Sequence, residues 1–177
     1  GDAGEKYIFR GGAYEVNLDE TVLVFAGVQE KKNDFIGSTM NYELIKCDKD
    51  VNVTVLDKIT FDYPYQPIFA EPILDDENIL NEDMPRDWVV VFAPMGNMKG
   101  ATLNPKTNEY IYFRVSPKGE IKERITMTAP SNGWRVLQAY EKNGDVYLYG
   151  PTLTKDLKNK YINEVFKTGL VATTSAD

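Results

Sequence analysis

Between Glu71 and Trp88 the sequence gathers Glu71, Asp75, Asp76, Glu77, Glu82, Asp83 and Asp87 in one proline-rich stretch. Carboxylates at this density invite glycoside hydrolysis. That chemistry needs two of them flanking a sugar, about 5 to 9.5 Å apart, with one pKa raised by burial or by its neighbour. Hard oxygen ligands also suit Ca2+, but the segment lacks the Asp-x-Asp-x-Asp-Gly order of a calcium loop, so no metal site is expected. The plainest reading is a solvated acidic connection with no catalytic residue, and no cofactor is expected either.

The residue types that are missing narrow the chemistry further. The chain contains no His, which removes Ser-His-Asp and Cys-His nucleophile activation and His-based metal sites. Cys47 is the single cysteine, so no internal disulfide forms; it stands between Lys46 and Asp48 near an expected turn, with no activating basic partner evident for a catalytic thiol. It reads as a structural thiol. Gly11-Gly12 lacks the spacing of a dinucleotide loop, and no phosphate-binding glycine loop is present. Asn52-Val53-Thr54 matches a glycosylation acceptor but falls within an expected strand. Carboxylate hydrolysis is the main enzyme class left.

Aromatic residues point to binding. Tyr63, Tyr65, Trp88 and Trp134 are the candidate ligand-binding residues, because Trp and Tyr offer rigid apolar area with a polar handle for a sugar face or a protein partner. Such residues are also ordinary core material. Tyr147 and Tyr149 share one face of a strand, with Val146 and Leu148 on the other.

The elements that must position these residues read as antiparallel strands. Thr21 to Gly27 and Trp88 to Pro94 are near-continuous apolar runs, as expected of inner strands. Tyr42 to Lys46 and Val51-Asn52-Val53-Thr54-Val55 flank a turn at Asp48 to Asp50, and Tyr110 to Val115 precedes the Ser116-Pro117-Lys118-Gly119-Glu120 turn. Asn143-Gly144 marks a hairpin between Trp134 to Tyr140 and Val146 to Tyr149. Tyr63 to Asp87 reads as a long connection with one short strand at Ile68-Phe69-Ala70. One helix is expected over residues 155–168, from Leu157, Tyr161, Ile162, Val165 and Phe166 at helical spacing, with Thr154 as N-cap and Gly169 at C′.

At 177 residues the chain suits one domain. The division is a tail at 1–6, a single β domain at 7–171 and a tail at 172–177. An approximate internal repeat relates 20–87 to 88–151. Val22-Leu23-Val24-Phe25-Ala26 matches Val89-Val90-Val91-Phe92-Ala93 at an offset of 67, Tyr42 matches Tyr110 at 68, and Ile59-Thr60 matches Ile125-Thr126 at 66. These turn-flanked segments, ending in Val146-Tyr147-Leu148-Tyr149-Gly150-Pro151, resemble blade hairpins of secreted bacterial β-propeller proteins. The resemblance covers roughly residues 20–151 and implies a propeller-like ring or part of one; a β-sandwich accounts for the same hairpins. The expected class is therefore all-β, antiparallel hairpin repeats, propeller-like or β-sandwich, with one C-terminal helix.

Charge bounds the partners. The net charge of −7 and the lack of a Lys/Arg-dense stripe disfavour nucleic acid and anionic membranes, and no apolar stretch approaches the roughly 20 residues of a membrane-spanning helix. Membrane insertion is not expected. The chain begins with Gly1, not Met, and is read as a fragment. An extracellular or periplasmic location is the expectation that accompanies the resemblance. The resulting expectation of function is a noncatalytic β module binding a carbohydrate or protein, with more of its parent chain or another β subunit as a further kind of partner. A carboxylate-dependent glycan hydrolase and a purely structural domain are the alternatives.

Overall fold

The computed structural model describes residues 7–8, 14–28, 40–95, 107–129, 134, 136–152 and 162–167, and every described element is a strand. The first sheet contains β1 (Tyr7–Ile8), β2 (Tyr14–Val16), β3 (Val22–Val28), β4 (Asn41–Cys47) and β5 (Val53–Thr60). Both β1 and β2 pair with β3, so together they form one edge of the sheet. The second sheet runs β6 (Tyr65–Pro72), β7 (Trp88–Pro94), β8 (Glu109–Val115) and β9 (Ile121–Thr128) in sequence order. The third holds β10 (Gln138–Lys142), β11 (Asp145–Thr152) and β12 (Ile162–Lys167). All pairings are antiparallel.

The sheets stack in layers, with the second in the middle. Its strand β7 is buried at every position, which explains a run with almost no polar residue: both of its faces are covered. Successive side chains alternate between the two cores. Trp88, Val90 and Phe92 meet Leu23, Phe25, Tyr42 and Leu44 of the first sheet, with Phe25 at 5.7 Å from Trp88 and Tyr42 at 5.0 Å from Phe92, ring centre to ring centre. Val89, Val91 and Ala93 turn the other way onto Val146, Leu148 and Trp134. Polar bonds accompany the second core. The Tyr112 hydroxyl donates to the Gly144 carbonyl at 2.7 Å, and Trp134 Nε1 donates to the Gly150 carbonyl at 3.0 Å.

Three five-residue turns share one hydrogen-bond pattern. In the turns at 17–21, 48–52 and 116–120 the first residue's N–H donates to the fifth carbonyl, and the fourth N–H donates to the first carbonyl, at 2.8 to 3.0 Å. The fourth residue takes positive φ each time: Glu20 (65°), Val51 (66°) and Gly119 (87°). Only Gly119 has the residue type that this conformation favours. Asn143 (φ 53°) and Gly144 (φ 85°) form the two-residue turn between β10 and β11, as an Asn-Gly pair should.

Four expectations are corrected. The C-terminal helix is not found among the described residues: Ile162–Lys167, in the second half of its expected range, is β12, paired with β11 from Thr152↔Ile162 to Tyr147↔Lys167. Ile162, Val165 and Phe166 fit helical spacing, but β-branched and aromatic residues also suit a short strand, and β11 offers a free edge that outweighs the local cap signals. Thr154, Leu157, Tyr161 and Gly169 lie outside the described residues. Among the described residues no propeller-like ring closes either, because the layers are open-ended, and with three sheets they are not a two-sheet sandwich. Nor do the described residues form a repeated unit. The sheets have five, four and three strands, and Ile59-Thr60 ends β5 whereas Ile125-Thr126 lies inside β9. The matched landmarks reflect a shared strand order and hairpin rhythm. The connection expected from Tyr63 to Asp87 is also shorter than read, since β6 occupies Tyr65–Pro72.

Candidate functional site

Two of the three like turns lie side by side where the first and second sheets end. Asn17, opening the turn between β2 and β3, donates from Nδ2 to the Pro117 carbonyl in the turn between β8 and β9, at 2.8 Å. Together with residues 82–86 these turns wall a cleft of about 530 Å3. Its apolar lining comes from Val16, Leu18, Pro72, Met84, Pro85 and Pro117. Its charged lining is balanced in number: Glu15, Asp19, Glu82 and Glu120 against Lys46, Arg86, Lys118 and Lys122.

Sheet register explains why charges face this space. Glu15 and Lys46 both pair with Leu23, whose side chain is buried against the second sheet, so all three share the face that looks inward. At the end of the sheet that face runs out of partner strands and opens into the cleft. Glu15 consequently loses water, and among the described residues it forms no ion pair. Burial first and the charge of Glu71 second raise its pKa, opposed by a backbone hydrogen bond at Val16 and the charge of Arg86. Asp19 is set the other way: bonds from the Thr21 hydroxyl and N–H hold its carboxyl below the usual range, with Lys46 adding to the effect.

Several cations are already engaged. Lys122 reaches Asp87 at 2.9 Å, as does Arg114 Nε, and Asp87 is only 12% exposed. Arg86 donates from Nη2 to the Asn78 carbonyl at 2.9 Å, and its buried Nε has no partner. The acid-rich connection is mostly structural or solvated. Asp75 accepts from the Glu77 and Asn78 N–H groups at 3.0 and 2.8 Å and folds its turn, while Asp76, Glu77, Glu82 and Asp83 are exposed. Among the described residues no group of three or more His, Cys, Asp or Glu could hold a metal ion.

The four aromatic candidates do not assemble at this cleft. Tyr65, Trp88 and Trp134 are core residues, with Trp88 wholly buried and its Nε1 unpartnered. Tyr63 is half-buried, its hydroxyl donating to the Met95 carbonyl at 2.6 Å and its ring 6.0 Å from Tyr65. Comparison with family models, curated proteins and solved structures returns no match. The resemblance to secreted bacterial propeller proteins thus reduces to antiparallel β structure. The sequence reading missed the cleft because its walls are two turns and a loop from different sheets. The five-residue turn spacing was the one signal that could have placed those walls together.

Proposed function

We propose that the chain is a noncatalytic β module that binds a protein partner, taking a peptide segment into the cleft between the turns at 17–21 and 116–120. The observation that carries this reading is the lining, which mixes apolar residues with charges of both signs and includes no Trp, Tyr or Phe. Sugar recognition leans on aromatic faces, whereas peptide segments match aliphatic, proline and charged surfaces. The burial of Tyr65, Trp88 and Trp134 weighs in the same direction.

A carboxylate hydrolase is the second reading, favoured by the raised pKa of Glu15 and the nearby charge of Glu71. Both readings are tested with one panel of capped peptides and neutral and acidic oligosaccharides, measured for equilibrium binding and turnover. Leu18, an exposed residue of the lining, is replaced by Trp to fill the cleft. Peptide binding lost in Leu18→Trp supports the module. Glycan turnover lost in Glu15→Gln would replace it with the hydrolase.

A further inference from the structure

The charge balance of the cleft is only nominal. Lys122 is bonded to Asp87, which does not line the cleft. Lys46 lies near both Asp19 and Asp48, helping to lower each carboxyl. The charge of Arg86 acts on Glu15, yet it ranks last among the influences there, behind burial and Glu71. Among the described residues Glu15, Glu71, Glu82 and Glu120 form no ion pair, and with Lys122 held by Asp87 the lining sets Glu15, Asp19, Glu82 and Glu120 against Lys46, Arg86 and Lys118. The cleft is therefore acidic in effect, within a chain of net charge −7.

Resting on the reading of the cleft as a peptide site, we propose that its occupant is a basic, partly apolar segment that places a Lys or Arg side chain on Glu15. The aliphatic and proline lining takes the stem of that side chain and its apolar neighbours, and Glu15, on the inward row beside Leu23, takes the charge. A cation arriving there supplies the counter-charge that the free protein withholds from Glu15. The charges of Glu71 on β6 and Arg86 in the connection act on the same carboxylate, the first adding to the attraction and the second opposing it, although Glu71 pairs with Val89 and so lies on the face turned toward the third sheet.

The test uses capped leucine–lysine, leucine–glutamine and leucine–glutamate peptides, with affinity measured by calorimetry and location by backbone amide NMR. The lysine peptide should bind at least about tenfold more tightly than the glutamine peptide, move amides at 15–19 and 116–122, and weaken as salt is raised. Glu15→Gln should lose about tenfold in affinity for the lysine peptide, the size expected of one charged hydrogen bond, while Asp76→Asn, outside the cleft, changes nothing. Removing a carboxylate that burial disfavours should leave Glu15→Gln at least as thermostable as the parent, so a binding loss is not a folding loss. Equal binding of all three peptides at the cleft overturns the basic preference and keeps the peptide site. Absence of any peptide from the cleft overturns both.

Discussion

Gly119→Ala should be destabilising for two separable reasons. At φ +87° an Ala costs roughly 1 kcal/mol more than Gly. Its Cβ would also lie 2.2 Å from Leu56 Cδ1 and 3.3 Å from Leu23 Cδ2. Leu56 is the extra residue of the bulge in β5, opposite Leu44 and Ile45, and it packs against the turn at 116–120. At 37% exposure it has room to swing, so relief means a displaced rotamer, adding about 0.5 to 1.5 kcal/mol. The total is about 2 kcal/mol, or a fall in Tm of about 4 to 8 °C. Melts of Gly119→Ala, Leu56→Ala and the double variant separate the two causes. In the Leu56→Ala background the cost should shrink to about 1 kcal/mol, a coupling well above the roughly 0.5 kcal/mol that independent sites show. An equal cost in both backgrounds would refute the steric part of the reasoning.

Val51→Gly should do the reverse: Val51 is 76% exposed at φ 66°, and releasing that strain should stabilise by about 1 kcal/mol, seen as a higher Tm. Asp87→Asn takes the charge from a nearly buried carboxylate that serves Arg114 and Lys122, and denaturant unfolding should report a loss of about 1 to 3 kcal/mol. Burial pushes the Tyr65 hydroxyl up to about 12 from an ordinary 10.0, with Glu109 and Asp62 adding to the shift. Because the folded state holds this proton more tightly, its contribution is intact below pH 10 and drains away as pH rises toward 12, on the order of 2 to 3 kcal/mol. Tyr65→Phe should flatten that alkaline decline, measured as stability against pH beside tyrosinate absorbance.

The strands were readable where one residue pattern admits one structure. The runs at Val22 and Trp88 can be little other than inner strands, and Asn143-Gly144 can be little other than a tight hairpin turn. Stacking was less visible, because both sides of β7 are apolar and nothing local says which sheet covers which. The helix reading failed at Ile162 to Lys167, where six residues satisfy either period and the free edge of β11 decides. Glu15 was passed over because its environment is made by Glu71 and Arg86, both more than fifty residues away. Conversely, Trp88 and Trp134 drew attention as binding residues by type alone, and type does not distinguish a core indole from an exposed one.

The central claim is that the cleft between the turns at 17–21 and 116–120 receives a peptide segment. A backbone amide NMR map of the protein with pooled capped peptides, and separately with pooled oligosaccharides, tests it most directly. Peptide-induced shifts confined to residues 15–19, 82–86 and 116–122, and absent in Leu18→Trp, are the predicted result. Shifts that leave those residues unmoved, or that arise there only with oligosaccharides, would contradict it.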